Sequence, residues 1–325
     1  MTLLVTDPKV RLHERHLSML ASHDVRAVWV DGTDHDALLA YAGSADAVMV
    51  MSERIDEPLL ERLVRCRVVT RLGIGTDTVD VPAATKRGVW VTNVPDGNFR
   101  EVAVHAIMLI LALTRGLPEA QRSLIRTGWT DGIAFGDLRR PEMQTLGLLG
   151  MGRIGRRVAE IASVIGFRVA VCDPRVSDAD AKSVGARALD FDSLIASSDV
   201  LSLHVPLMDT TRRIIGRDVL ERMPRRSFLI NVSRGGLVDE EALVNAIRLG
   251  HLAGAGLDAY ETEPLPSTSP LRELRQVMLT PHTAAHSREA GDEIFDKAIA
   301  DICRVLTGMA PHYTVNDPAS PRMTP

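Results

Sequence analysis

Three polar residues stand just past apolar, β-prone runs in the second half of the chain. They are Arg234 in "LINVSRGGLVDEEAL", Glu263 in "AGAGLDAYETEPLP" and His282 in "VMLTPHTAAHS". An arginine grips a carboxylate with two parallel hydrogen bonds and polarises an adjacent carbonyl. A histidine can deliver a proton near neutral pH, and a neighbouring glutamate orients its ring and favours its charged form. Together the three fit hydride chemistry on a carbonyl, the proton going to the forming alkoxide. Taken singly, each has a plainer reading: a surface arginine, a turn, a surface histidine. His286 lies four residues after His282, a spacing that on a helix would let both rings share a metal ion. Pro281 instead puts His282 at a strand end, and no third ligand stands nearby at metal spacing. The expectation is therefore no metal, with His282 as proton donor and Glu263 as its partner. His286 reads either as a pocket residue or as part of the start of a helix.

Such chemistry needs a hydride carrier, and "TLGLLGMGRIGRRVAEIASVIGFRVAVCDP" carries the signal for one. Gly150-x-Gly152-x-x-Gly155 follows an apolar run and opens an amphipathic one, and a second strand ends at Asp173. Gly150 permits the tight turn, Gly152 the approach of a pyrophosphate, and Gly155 close packing of helix on strand. The helix start supplies free N–H groups for the phosphates. Asp173 can accept from both ribose hydroxyls and repels a 2′-phosphate, which favours NAD over NADP; Arg175, two residues on, could soften that preference. "LGIGTDTVD", residues 72–80, looks similar, but Thr78 stands where the third glycine would be. It is not a second nucleotide site, although a glycine loop at a strand end can bind a small anion.

The elements that must position these residues follow from alternation. Strands are expected at Leu3–Thr6, Val25–Val30, Ala47–Met51, Val68–Leu72 and Val89–Thr92, with helical patterns such as "LHERHLSMLAS" and "DEPLLERLVR" between them. A helix over about 101–115 leads to a less regular stretch containing Gly128, Gly132, Gly136 and Pro141. A second series then runs through "TLGLLG", "RVAVCD", "VLSLHV", "SFLINV", "LAGAGLD" and "VMLT", before a last helix over about 287–306. This pattern means an α/β chain of two doubly wound parallel-sheet domains. Residues 100–286 are expected to form a Rossmann NAD-binding domain, inserted into a flavodoxin-like domain of residues 1–99 and 287–325. The tail "NDPASPRMTP" has little to bury and is expected to be mobile. No further regulatory domain is expected after the last helix.

Bulk properties narrow the function classes. The 325 residues carry 38 Lys and Arg against 42 Asp and Glu, a net charge of −4, with no basic stripe. Aromatics are only 4%, so neither the charge nor the stacking groups of a nucleic-acid binder are present. Three scattered cysteines, Cys66, Cys172 and Cys303, fit free thiols in a reducing cytoplasm rather than a disulfide framework. The N-terminus does not read as a signal peptide. The most apolar run, "VAVHAIMLILAL", is too short for the ~20 residues of a membrane span and reads as a buried helix.

"GLLGMGRIG", "NVSRGGLVDEEAL", "GLDAYETEP" and "LTPHTAAHS" together resemble the D-isomer-specific 2-hydroxyacid dehydrogenase family. "RLGIGTDTVDVPAATKRGVWVTNVPD" resembles its substrate-domain loop and "SLHVPLMDTTRRIIG" a cofactor-side segment. Within the family the sequence looks closest to the phosphoglycerate-dehydrogenase-like and corepressor-like (C-terminal-binding-protein) branches. The resemblance implies that Arg234, Glu263 and His282 are the catalytic set, and that Ile74 and Gly75, with Arg234 and His282, hold the substrate. It assigns Gly150, Gly152, Arg153, Ile154, Gly155, Asp173, His204, Val205, Pro206, Thr211, Val232, Ser233, Arg234, Asp258 and His282 to the NAD side. It also implies a homodimer joined through the cofactor domain. The activity implied is hydride transfer between nicotinamide and C2 of a small D-2-hydroxy acid or 2-oxo acid, of phosphoglycerate, hydroxypyruvate or glyoxylate type. The two domains would close over the ligands to exclude water. The alternative, from the corepressor branch, is an NADH-sensing binding protein with little turnover. A formate-type reaction would call for glutamine where Glu263 stands. Ser233, Thr78, Val104, Arg100 and Ala285 depart from common family residues. Arg100 would favour a substrate with extra negative charge if it points inward, and Ala285 would leave a roomier pocket than the aromatic of the corepressor branch.

Overall fold

The computed structural model describes residues 1–129 and 138–322, so Gly132 and Gly136 lie outside the described residues. Two compact units emerge, one of Met1–Asn98 with Ser287–Pro325, the other Phe99–His286.

The first unit alternates β1 (Thr2–Val5), α1 (Glu14–Ser22), β2 (Arg26–Trp29), α2 (His35–Ala42), β3 (Ala47–Val50), α3 (Glu57–Arg62), β4 (Val68–Arg71), α4 (Val81–Lys86) and β5 (Trp90–Thr92). All its strand pairs are parallel, in the order β2-β1-β3-β4-β5, the flavodoxin-like winding. Asp34, Asp56 and Asp80 each accept a backbone N–H at a helix start, which is why these short helices begin where they do.

The second unit opens with α5 (Phe99–Thr114), ended by Gly116 at φ +65, and α6 (Leu117–Thr127). It continues through β6 (Thr145–Leu149), α7 (Arg153–Ile165), β7 (Arg168–Cys172), α8 (Asp178–Ser183), β8 (Ala186–Ala188), α9 (Phe191–Ser197) and β9 (Val200–Leu203). It is completed by α10 (Arg217–Arg222), β10 (Ser227–Asn231), α11 (Glu240–Arg248), β11 (Leu252–Leu257) and β12 (Val277–Leu279). The order β12-β11-β10-β9-β6-β7-β8 is wholly parallel and reverses direction between β6 and β9. That reversal is the switch point where open α/β sheets bind ligands. Leu146, Leu148, Val169, Val171, Val200 and Ile230 are buried with the α5 and α7 faces in one core.

The last helix, α12 (Arg288–Leu306), begins at Ser287, whose hydroxyl accepts from Ala290 N–H. It returns to the first unit, burying Ala298, Ile299, Ile302, Val305 and Leu306 with Leu3, Val5, Met49 and Val68. On its outer edge, Asp296 meets the ring of the buried His16 at 2.8 Å and Arg15 Nε at 3.1 Å.

Three expectations need correction. The stretch after residue 115 is not simply irregular, because α6 occupies much of it. A seventh strand, β8, pairs with β7 at the sheet edge; its sequence, Ala-Arg-Ala, carries no β-branched residue to announce it. The tail is anchored through Arg322. Asn316 accepts from Val91 N–H at 2.7 Å and donates to Thr85 Oγ1 and Val89 O, both at 2.9 Å. Arg322 donates to the carbonyls of Leu63, Val64 and Cys66. Polar bonds to backbone and hydroxyl groups hold this segment, with Pro318 buried between them. Among the described residues, no single helix is long and apolar enough to cross a membrane.

Candidate active site

The glycine loop lies at the switch point. Gly150 has φ +98, and a Cβ there would come within 2.6 Å of His204 O, so both conformation and space demand glycine. Gly155 is buried in the first turn of α7, where a Cβ would fall 2.3 Å from Gly150 O. Gly152 is the residue before α7 and makes no side-chain cap. Open space surrounds the position of its missing Cβ, with Arg153 exposed and Ile154 half-buried beside it. The first N–H groups of α7 and this open approach fit a pyrophosphate. Asp173, after β7, accepts from Met151 N–H through Oδ2 and from Arg175 N–H through Oδ1, each at 2.9 Å. The acidic residue thus ties down the glycine loop and still has acceptor capacity for ribose hydroxyls. Across the switch point, His204 N–H donates to Leu149 O at 2.7 Å. Its ring pairs with Ser202 Oγ at 2.9 Å, and its Nδ1 is buried without a protein partner. Burial lowers its pKa to about 4, so the ring is neutral at physiological pH. Thr211 Oγ1 donates to Pro206 O and accepts from Met208 N–H, closing the loop after Val205. These groups fit a dinucleotide.

Three loops at the carboxyl ends of β10, β11 and β12 bring the acid–base candidates together. After β10, the buried Asn231 organises the turn: its amide oxygen accepts from Ser233 N–H at 3.0 Å, and its amide group donates to Arg234 O at 2.8 Å. Ser233 Oγ donates to Leu203 O, and Val232 is buried. Arg234 leaves the turn half-buried, one guanidinium nitrogen donating to Ser233 O. Gly235 is fully packed: a Cβ there would meet Tyr260 C at 1.8 Å and Glu261 N at 2.3 Å. That close approach presses the Arg234 loop onto the Glu263 loop. Glu263 Oε1 accepts from Tyr260 N–H at 3.0 Å, and Oε2 lies 2.8 Å from His282 Nδ1. Burial pushes the Glu263 carboxyl up, but the hydrogen bonds from His282 and Tyr260 N–H, with the charges of His282 and Arg234, outweigh it. The net effect holds it below the usual carboxylate range. Glu263 is therefore an ionised partner, and it leaves His282 Nε2 as the ring nitrogen for proton transfer.

His282 itself sits at φ +53, a left-handed conformation that costs a non-glycine residue on the order of 1–3 kcal/mol. The surrounding loop holds it there. Asp258, 1% exposed, accepts from Thr280 Oγ1 at 2.6 Å, Thr283 N–H at 2.9 Å and Ala284 N–H at 2.9 Å. Tyr260 OH lies 2.8 Å from Thr280 O, to which it donates. Burial, then the nearby Asp258 charge, pushes that phenol up to about 12, so it stays a donor.

Sequence reasoning assigned Asp258 to the cofactor. The geometry shows its carboxylate largely committed to the backbone that carries His282. Asn231, Tyr260, Thr280 and the α5 residue His105 were not expected to take part. Arg100, His105 and His286 line a recess of about 340 Å³ with Thr283 and Ala284. Among the described residues, no group of three or more His, Cys, Asp or Glu is placed to hold a metal ion. In the first unit, Ile74 O accepts from Asn93 Nδ2 at 2.6 Å, fixing the loop through Gly75 after β4.

Residues 107–284 match the family model "D-isomer specific 2-hydroxyacid dehydrogenase, NAD binding domain". A D-3-phosphoglycerate dehydrogenase of Mycobacterium bovis is 42% identical over 287 residues, covering 87% of this chain and 53% of that protein. The chain spans about half the length of that relative. A glyoxylate reductase of Aeropyrum pernix is 38% identical over 291 residues, covering 87% of this chain and 86% of its own. The crystal structure of a glyoxylate reductase from Paecilomyes thermophila superposes with a TM-score of 0.88 at 27% identity, over 97% of this chain and 98% of that one. Together with the glycine loop and the Arg–Glu–His loops, these matches establish that the chain belongs to the D-isomer-specific 2-hydroxyacid dehydrogenase family, residues 107–284 matching its NAD-binding domain.

Proposed function

We propose that this chain is an NAD-dependent oxidoreductase acting on a small D-2-hydroxy acid or the corresponding 2-oxo acid, of phosphoglycerate, hydroxypyruvate or glyoxylate type. The observation that carries the reading is the 2.8 Å bond from His282 Nδ1 to a Glu263 carboxylate held in its ionised form. Bound NAD would supply the hydride donor or acceptor, held by Gly150, Gly152, Gly155 and Asp173. In the reductive direction Arg234 grips the substrate carboxylate and polarises the C2 carbonyl. His282 Nε2 gives its proton to the alkoxide oxygen, and Glu263 stabilises the ring while it is charged. Ile74 and Gly75 are assigned to substrate binding. The unit of residues 1–98 and 287–325 is thereby the substrate domain, and that of 99–286 the cofactor domain.

A homodimer joined through the cofactor domain is part of the proposal. Exposed apolar residues at helical spacing support it: Val104 and Met108 on α5, Leu117, Leu124 and Ile125 on α6, then Trp129, with Ile125 78% and Trp129 72% exposed. The three free cysteines fit a reducing cytoplasm. The test follows NADH oxidation by absorbance against glyoxylate, hydroxypyruvate, its 3-phosphate and bulkier 2-oxo acids. His282→Ala and Arg234→Ala should each lower kcat/KM by about 10³-fold or more while NADH still binds. Near wild-type activity in either variant refutes the assignment. Tight NADH binding with no turnover on any acid would instead favour the sensing protein.

A further inference from the structure

The Asp258 clamp has one more member that neither the motifs nor the proposed chemistry uses. His105 reaches it from the second turn of α5, with its side chain 15% exposed. Its Nε2 lies 3.0 Å from Thr280 Oγ1 and 3.8 Å from Asp258 Oδ1. Thr280 has a single hydroxyl proton, and the 2.6 Å contact commits it to Asp258 Oδ1. The hydroxyl oxygen is therefore the acceptor toward His105, which fixes the proton on Nε2. The result is a directed chain: His105 donates to Thr280, and Thr280 donates to Asp258. Asp258 in turn accepts the N–H groups of Thr283 and Ala284. The held residues 280, 283 and 284 bracket His282, whose left-handed backbone cannot be maintained by local preference.

We propose that His105 is a positioning residue for His282, acting through the Thr280 hydroxyl and Asp258. It fixes the Thr280 rotor, so that one Asp258 oxygen is always occupied by Thr280 and the other is left for Ala284 N–H. Without that donor the hydroxyl is free to turn away. The Asp258 carboxylate then rotates toward other partners and the 280–284 loop loses its single setting. His282 would still form, but it would spend less time aimed at the reacting oxygen. The effect falls on the chemical step rather than on NADH binding. This inference rests on the reading of His282 as the proton donor.

The test is steady-state kinetics with NADH and glyoxylate or hydroxypyruvate, whichever turns over, together with NADH binding by fluorescence. His105→Leu and Thr280→Val should each lower kcat about tenfold, with the NADH dissociation constant within twofold of wild type. His105→Gln places an N–H donor near the Nε2 position and should recover most of the loss; Thr280→Ser, which keeps the hydroxyl, should do the same. The double variant His105→Leu/Thr280→Val should be no slower than the worse single one, because both break the same chain. A purely structural role for His105 would give no rescue by Gln and multiplicative losses in the double variant, and either result overturns the proposal. His105→Leu turning over at the wild-type rate beside an inactive His282→Ala overturns this inference alone. Full turnover in His282→Ala overturns it together with the assignment on which it rests. Should His105→Leu fail to fold, the Gln variant and the two Thr280 variants decide the question.

Discussion

Gly235→Ala puts the packing of the site under direct test. The added methyl would stand 1.8 Å from Tyr260 C and 2.0 Å from Tyr260 O. Ordinary contact begins near 3.4 Å, and both atoms are backbone, so no rotamer can yield. The loop after β10 must then move away from the loop after β11 by about 1.5 Å, carrying Arg234 away from Glu263 and His282. A displacement of about 1 Å in a reacting constellation costs on the order of 10²-fold in rate. The overpacking itself costs about 1–3 kcal/mol of stability. The expected outcome is a folded protein with kcat/KM for the 2-oxo acid lowered at least 100-fold in the NADH assay. Gly236→Ala is the internal control. Its methyl would meet Leu207 Cδ2 at 3.0 Å, Cδ1 at 3.3 Å and Arg212 Nη1 at 3.7 Å, all ends of flexible side chains, so activity should stay within a few-fold. Gly235→Ala within threefold of wild type, or both variants equally impaired, would refute the argument that this contact sets the geometry of the site.

Three further outcomes follow from the same geometry. Asp173→Ser removes the carboxylate proposed to receive the ribose hydroxyls, so the KM for NADH should rise about tenfold while that for NADPH changes less; parallel changes in the two would contradict the role. Glu263 has a folded pKa below its unfolded value, so its stabilising contribution is complete above the unfolded value and fades as pH falls through the folded one. The stability deficit of Glu263→Gln in urea should accordingly be greatest above about pH 5 and shrink on acidification; a deficit that grows as pH falls would show the sign to be wrong. Asn316→Ala leaves the buried Val91 N–H without its acceptor and should lower stability by about 1–3 kcal/mol, read by denaturant melting; an unchanged midpoint would return the tail to a passive role.

The fold class was readable because parallel strands buried on both faces are near-continuous Val, Leu and Ala runs, as in Ala47–Val50 and Thr145–Leu149. The glycine loop was readable because each glycine answers a local steric demand. Strand ends were expected a residue too late, for instance at Asp173 and Asp258, because the last apolar run passes straight into the turn that carries function. β8 was invisible, since a short edge strand with one exposed arginine has no periodicity to detect. The Arg–Glu–His set was readable from types and from strand ends, but its supporting shell was not. Thr280, Asp258 and His105 meet through side-chain bonds across 22 and 175 positions, and no local pattern encodes such a meeting. The tail was misjudged for a related reason: hydropathy does not register Asn316 and Arg322 binding the carbonyls of a distant loop.

The return of α12 to the first unit has a consequence for the growing chain. The sheet face bearing Leu3, Val5, Met49 and Val68 is covered by Ala298, Ile299 and Ile302, residues translated only after all of 99–286. At 5–20 residues per second, that face waits roughly 10–40 s for its cover. The contiguous unit's own last strand, β12, ends at Leu279, 19 residues before Ala298, so that unit is complete only about 1–4 s before the cover is made. For nearly all of that wait the ribosome-bound intermediate is an open, sticky sheet followed by a second unit still being made, and that sheet is where a chaperone would be expected to hold the nascent protein.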